Sequence, residues 1–539
     1  MATSVLEQRR NTLLFWLGCI LVSVGVLLHL PMFLMARSSG YVLAGMTMDV
    51  GMLLGMLAIL VGYACAAYGL LPRARARTLP GEPFESLVLP ENAPLTPAHW
   101  RMAALLSLAL VIDVMKPASL GLVTPGMRTE YAVSSATVAW LPFAALAGTV
   151  LGSFVWGVLA DIYGRRASIL VSSVMFVGTS ICGAMPDFWW NVGMCFLMGA
   201  AAGGMLPVAY ALLAEIMPTR HRGWSLVLVG GAGAVGGYFV ATALSALLQP
   251  IFGWRVMWFL NFPTGLILIA LSPLLPESAR FLQQMGRLEE ARQVLARFGA
   301  TPGSLGGQGG RALAAHKRTE PRPRRGFIGI TLALTLSGLS WGLVNFGLLL
   351  WLPGVLVAQG GSIGASSSLI AESTLIAAPT ILIGTWLFSA WSTKWSLVVM
   401  SAVTVAGLAG LALEDWIAGA LLHPVVPLVL LIAGSSGVIS TLLPYAAENY
   451  PLRVRGRATG WIAGCSKLGG LLAQALGLVG AIPPFGTAVV AVAVVAAAAA
   501  VLIALLGRES RGQDLSALDG PEWRPAGAAS GVAAATPLD

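Results

Sequence analysis

Glu215-Ile-Met-Pro218-Thr-Arg220-His-Arg222-Gly223 is followed, 233 residues on, by Glu448-Asn-Tyr-Pro451-Leu-Arg453-Val-Arg455-Gly456. Both copies fit E-x-x-P-x-R-x-R-G, and each stands where a long apolar segment runs out. A repeat at such a period marks two homologous halves. Pro218 and Pro451 are expected to stop their helices by removing a backbone donor. The arginines beside them are expected to hold each turn at a water interface.

Composition says what kind of halves these are. The 539 residues are 57% hydrophobic and only 10% charged, with mean hydropathy +0.81. A soluble domain carries about 25% charged residues, so this chain cannot cover a water-facing surface. Apolar runs of about 20 residues recur, each long enough to cross about 30 Å of hydrocarbon as a helix. The alternating strands of a membrane barrel are not seen. The net charge is +9, and its placement is one-sided. With the N-terminus in the cytoplasm, Arg73, Arg75, Arg77, Arg165, Arg166, Arg220, Arg222, the run Arg280 to Arg325, Arg453, Arg455, Arg457, Arg508 and Arg511 share that side. Only Arg37, Arg128 and Arg255 face the other. This is the positive-inside bias, so the basic balance calls for no nucleic-acid partner. The five cysteines lie in apolar segments without a C-x-x-C, and the five histidines form no spaced cluster, so no metal or cofactor is assigned.

Fourteen spans are expected in all. Two come first, about 12–36 and 46–71, before a Pro/Arg-rich stretch at 72–100. The first is too long for a signal-peptide core. Six more lie at about 102–124, 137–160, 167–186, 189–214, 224–248 and 255–275. The last six lie at about 327–357, 367–390, 396–413, 425–447, 457–480 and 486–507. The fold is therefore all-α: a 6+6 helix core with an extra N-terminal hairpin. Its parts are a hairpin and linker (1–101), an N-terminal bundle (102–275), a central loop (276–326), a C-terminal bundle (327–507) and a tail (508–539). The two E-x-x-P-x-R-x-R-G copies are an even number of spans apart and so face one side, a parallel repeat. Within the central loop, Glu277 to Phe298 has helical spacing, with Phe281, Leu282, Met285, Leu288, Val294 and Leu295 on one side. Thr301 to Arg325 and the tail from Ala517 are expected to carry little order.

Gly157-Val-Leu-Ala-Asp161-Ile-Tyr-Gly164-Arg165-Arg166 follows the second core span. Gly157 would permit close helix approach, Gly164 a tight turn, and Asp161 sits at a helix end beside arginine. This stretch resembles the signature loop of the major facilitator superfamily, G-x-L-A-D-x-x-G-R-R, at every fixed position. The resemblance implies a loop that braces the cytoplasmic gate. It makes Gly157, Asp161, Gly164, Arg165 and Arg166 gating residues, and Glu215, Arg222, Glu448 and Arg455 of the repeat are expected to complete the gating set. The equivalent place in the second half, Trp391-Ser-Thr-Lys394-Trp395, is degenerate, so gating contacts should differ between halves. Pro276-Glu277-Ser278 with Arg280-Phe281-Leu282, and Arg508-Glu509-Ser510-Arg511-Gly512, resemble motifs of sugar porters and their organic-acid relatives. The sugar-binding Gln pair of that branch is missing between Gly326 and Ala358, where Trp351-Leu352-Pro353 is similar to the W-L-P of proton-coupled organic-acid symporters. Cys195 stands where many members carry an arginine ahead of Phe196-Leu197-Met198-Gly199. A proton role for that arginine does not carry over.

The chain has its own charges at depth. Asp113 and Lys116 lie mid-way along the first core span, three residues apart on one face, and Lys467 lies mid-way along the eleventh. Each costs about 2.5–3.5 kcal/mol to insert, so each should face a partner or a cavity. Asp113 and Lys116 could neutralise one another for packing. Alternatively Asp113 exchanges a proton while Lys116 or Lys467 attracts an anion. Asn345, Trp341 and Gln474 are further candidate substrate contacts, with helix-to-helix hydrogen bonding as the competing role.

No nucleotide-binding loop occurs, so a secondary transporter driven by a proton gradient leads. Its expected partners are a small organic solute, protons and membrane lipid, and the expected state is a monomer in the inner membrane with both termini cytoplasmic. An organic anion is the first expected solute. Sugar uptake and drug efflux by proton antiport are the alternatives. A membrane enzyme would need Gly360-Gly361-Ser362-Ile363-Gly364 to be a nucleophile elbow, yet it falls in a turn between spans. A transport-dead sensor is disfavoured by the intact signature loop.

Overall fold

A computed structural model of the chain describes residues 2–70, 93–300, 325–416, 425–450 and 452–511. The expected disorder over Thr301 to Arg325 and in the tail from Ala517 lies outside the described residues, except that Arg325 already opens a helix, and the side chain of Arg455 lies outside them too.

Every described element is helical. The hairpin is α1 (Ala2–Leu27) and α2 (Val50–Leu70). The N-terminal bundle holds α3 (Pro97–Glu130), α4 (Trp140–Tyr163), α5 (Arg165–Gly178), α6 (Phe188–Ala202), α7 (Met205–Ile216), α8 (Thr219–Phe252) and α9 (Asn261–Ala270). Two short helices follow, α10 (Ala279–Gln284) and α11 (Leu288–Arg297). The C-terminal bundle holds α12 (Arg325–Leu343), α13 (Leu349–Ala358), α14 (Ile363–Ala377), α15 (Thr380–Trp386), α16 (Thr393–Trp416), α17 (Val425–Asn449), α18 (Leu452–Leu478) and α19 (Phe485–Leu506). Among the described residues, thirteen helical spans are long and apolar enough to cross a membrane. The fourteenth, α18, has the length, but its sequence carries Ser466, Lys467 and Gln474 at depth.

Small residues let the helices touch. A Cβ on Gly199 of α6 would collide with the carbonyl of Ala145 on α4, and one on Gly203 with that of Thr149. The Gly199-x-x-x-Gly203 face is therefore a close-packing seam. Gly157 is different: it is exposed, and a Cβ there would meet nothing within 4 Å. The close approach expected of Gly157 is made instead by Gly148 and Gly152, which face α6. Gly55 lies against Gly25 and His29 of the hairpin itself, and Gly51 meets only Asp49.

The amphipathic stretch after α9 is two helices, not one. Gly286 adopts φ +73° and ends α10, so the chain turns before α11. Phe281, Leu282, Val294 and Leu295 are buried as the spacing predicts, while Leu288 at the turn is exposed. Leu282, Leu295 and Phe298 share a core with Met102, Ile216 and Met217, so α10 and α11 pack on the N-terminal half.

The hairpin is fixed to the same half. Phe15, Val22, Ile59 and Ala66 pack with Leu170, Val174 and Val177 of α5. Its connecting loop is held by Glu130, whose Oε1 accepts the N–H of Leu43 at 2.8 Å and of Ala44 at 3.1 Å. The same oxygen pairs with Arg255 Nη2 at 2.6 Å, where the two side chains are 8% and 0% exposed. Arg255 also donates to the carbonyls of Gly183 and Met185. Removing one member of such a pair leaves a buried charge and costs about 3–5 kcal/mol. Glu130→Gln should therefore lower the melting temperature of the purified protein and loosen the hairpin. An unchanged melt would show that the apolar contacts alone hold it.

Candidate functional site

α3 and α18 bring the charges to one depth, from opposite halves. Asp113 is 7% exposed and Lys116 1%. The i, i+3 spacing allowed them to pair, but they do not. Asp113 Oδ1 and Lys116 Nζ are each buried without a hydrogen-bond partner. Lys116 turns into the N-terminal bundle, where its Nζ stands 2.8 Å from the centre of the Phe176 ring on α5. An aromatic face attracts a cation, by about 2 kcal/mol or more once water is gone. Lys467 is half-buried, with Nζ 4.9 Å from the Phe346 ring centre and 5.9 Å from that of Trp341.

The aromatic wall beside Lys467 is shaped by a π-turn over Val344–Leu348, between α12 and α13. Such turns place an extra residue in the helix and leave a carbonyl displaced. Here the Phe346 carbonyl accepts from Gln474 Nε2, and Trp351 Nε1 donates to Gln474 Oε1 at 3.4 Å. Trp341 Nε1 donates to the Ser435 carbonyl at 2.9 Å, and Asn345 Nδ2 to the Trp341 carbonyl at 3.1 Å. Gln474 thus has both ends of its amide engaged by the protein, and Trp341 presents its ring rather than its N–H. Phe176 and Phe346 went unread in the sequence, because an aromatic in an apolar span carries no periodic signal.

The halves meet on both sides of this cluster. Toward the far end, a Cβ on Gly121 of α3 would strike the Leu350 carbonyl on α13, and Ser245 and Ser367 share a 2.8 Å hydrogen bond between α8 and α14. At the arginine-rich end, a Cβ on Gly223 would lie 3.0 Å from Glu448 Oε1 and 3.2 Å from the Phe388 ring. Arg222 stands next to Gly223 at the start of α8. The halves therefore touch on both sides of the central cluster in this conformation.

The arginine-rich end is built twice. Gly164 adopts φ +103° and starts α5, and a Cβ there would strike the Glu277 carboxylate. Glu277 Oε1 accepts the N–H of Arg165 at 2.8 Å and of Arg166 at 3.3 Å. Ser278 Oγ donates to Glu215, and Arg165 bridges Asp161 at 3.2 Å and Glu215 at 3.4 Å. In the second half Glu509 Oε1 accepts the Thr393 N–H at 3.0 Å, and Ser510 Oγ donates to Glu448 at 2.7 Å. Each half thus caps its third core helix with a Glu-Ser dipeptide, 277–278 and 509–510, that reaches the repeated glutamate. The dipeptide is visible in the sequence as a second repeat. Burial pushes the Glu277 carboxyl up, against its backbone N–H donors and Arg165. Burial acts the same way on Glu509, but Ser392, Thr393 and Arg511 outweigh it and hold that group down at about 2. The arginine bridge has no counterpart at Lys394, which lies over the Trp395 ring at 5.3 Å.

A family model described as Major Facilitator Superfamily matches residues 106–474. The chain is 30% identical over 448 residues to the 4-hydroxybenzoate transporter PcaK of Pseudomonas aeruginosa, covering 78% of this chain and 95% of that protein. It is 24% identical over 439 residues to the niacin transporter NiaP of Acinetobacter baylyi, covering 79% and 98%. Among solved structures, it is similar to the inward-open xylose transporter XylE from E. coli, with TM-score 0.63 and 16% identity over 78% of this chain and 99% of that one. At that identity the likeness speaks for the fold alone.

Proposed function

The chain belongs to the Major Facilitator Superfamily, and on that premise we propose that it carries an aromatic carboxylate across the inner membrane by alternating access with proton symport. The observation that carries this reading is the central cluster: one carboxylate and two ammonium groups at mid-depth, with Lys467 set against two aromatic rings. A solute that is both anionic and aromatic suits such a site. Its carboxylate would meet Lys467 and its ring would lie along Phe346 and Trp341. The relatives named for 4-hydroxybenzoate and niacin handle solutes of that type.

Coupling follows from competition for one cation. In the empty carrier Asp113 is ionised and faces Lys467 across the halves. A bound carboxylate takes over the Lys467 ammonium, and Asp113, now without its counter-charge, takes a proton. Loaded and empty carriers then bear the same charge, so both can reorient through the hydrocarbon. The paired Glu-Ser clasps and the Arg165–Glu215 bridge brace each half at the cytoplasmic side, and the contact of Gly223 with Glu448 and Phe388 between the halves must part for release. Membrane lipid is the surrounding partner, the carrier works as a monomer, and both termini are cytoplasmic.

Uptake of labelled 4-hydroxybenzoate and nicotinate into proteoliposomes, driven by an acid exterior, tests the reading. Accumulation of either, competed by the other, is expected. Accumulation of xylose or of a cationic drug instead, with neither acid moving, would overturn it.

A further inference from the structure

The N-terminal hairpin reaches the back of the Lys116 site. Phe176, whose ring covers Lys116 Nζ, is fully buried and lies in the last turn of α5. Beyond Gly178 the chain tightens into a 3₁₀ turn over Thr179–Ala184. At the end of a helix the last carbonyls lack regular partners, and here three in a row each accept a hydroxyl. Thr179 Oγ1 donates to the Phe176 carbonyl at 2.9 Å, and Ser180 Oγ to that of Val177 at 2.6 Å. The Met175 carbonyl accepts from Tyr63 Oη of α2 at 3.1 Å. That donor comes from outside the twelve-helix core. A Cβ on Gly178 would strike the Tyr63 hydroxyl, so the glycine is what admits it. The backbone on both sides of Phe176 is thus pinned, on one side by the chain's own turn and on the other by the hairpin.

We propose that the hairpin is a positioning element for the proton site: Tyr63, through the Met175 carbonyl, holds Phe176 over Lys116. This rests on the proton-coupled reading above. Lys116 Nζ is buried without a hydrogen-bond partner, so the ring face is the attraction left to it, and that attraction depends on where the ring stands. Freeing the Met175 carbonyl lets the last turn of α5 shift and the ring drift from the ammonium. Lys116 then carries its charge less readily. With less positive charge nearby, Asp113, three residues away on α3, takes up its proton at a higher pH. Among the other groups around the pair, Lys467 on α18 is a further charge at this depth. α4, α5, α7 and α8 carry their charges at the arginine-rich end, and α2, α6 and α9 carry none. Cys182, Cys195, Tyr210 and Tyr238 add only thiols and phenols.

The test follows acid-driven uptake of labelled 4-hydroxybenzoate into proteoliposomes across external pH. It uses the full chain, Tyr63→Phe, Phe176→Leu, the two together, and Lys116→Gln. Phe176→Leu should raise the pH of half-maximal uptake by about one unit, and Tyr63→Phe by less, both in the direction of Lys116→Gln. KM for counterflow exchange should stay close to the wild-type value in Tyr63→Phe and Phe176→Leu. The double variant should match Phe176→Leu alone, because Tyr63 acts through that ring. A wild-type profile in Tyr63→Phe alone would overturn the proposal, and joined to a lower melting temperature would mean a structural brace only. Additive shifts in the double variant would overturn it too, since Tyr63 would then act without Phe176. A wild-type profile in Lys116→Gln and Phe176→Leu as well would overturn the coupling reading along with it. The pH dependence of the melting temperature needs no solute and should shift the same way. It decides the role of Tyr63 even where 4-hydroxybenzoate does not move and the aromatic-acid reading fails.

Discussion

Asp113→Asn is expected to abolish acid-driven accumulation of labelled solute while counterflow exchange continues. Exchange asks only that the loaded carrier cross and return loaded. Asparagine is close in shape to a protonated aspartate and carries no charge, so the loaded form should reorient much as before. It has no titrating proton, so an acid exterior no longer drives anything. With one proton per solute, a gradient of one pH unit supports about tenfold accumulation, and the variant should show none. The empty variant retains Lys467 without its counter-charge, so net uptake should slow more than exchange does. Unchanged accumulation in Asp113→Asn would remove Asp113 from the coupling step. Loss of exchange together with accumulation would make it a substrate contact or a structural group.

Much of the frame could be read before any coordinates. The duplicated E-x-x-P-x-R-x-R-G placed two parallel halves, and Glu215 and Glu448 do take equivalent partners in Ser278 and Ser510. The depth of Asp113, Lys116 and Lys467 followed from span boundaries. What each charge faces did not, because helical spacing fixes a direction only relative to the helix's own neighbours. Asp113 and Lys116 share a face by number, yet Lys116 reaches Phe176 on α5, a contact set by how α3 and α5 pack. Gly157 failed for a related reason. A glycine permits close approach, but only tertiary packing decides whether another helix comes, and at Gly157 none does. The Glu130–Arg255 latch joins residues 125 apart, with no motif around either. Gly286 could have been weighed as a helix stop. The apolar spacing that continues beyond it hid the break.

The two lysines should separate in a second experiment, and the sharper effect belongs to Lys467. Lys467→Gln keeps much of the side-chain volume and removes the charge. A hydrogen bond to a charged group contributes about 1.5–3 kcal/mol, so KM for the aromatic acid should rise about 10- to 150-fold. Asp113 would also lose the cation that holds it ionised in the empty carrier, so coupling should weaken along with affinity. Lys116 sits in a different place. It is 1% exposed and covered by the Phe176 ring, inside the half that also holds Asp113. Lys116→Gln should leave KM close to the wild-type value and change the pH at which uptake is half-maximal, because its charge acts on Asp113 from the protein side. The two variants thus divide one cluster into a group that meets the solute and a group that sets the proton site. A large rise in KM for Lys116→Gln, with Lys467→Gln unaffected, would reverse that division and move the anion site from the C-terminal half into the N-terminal one.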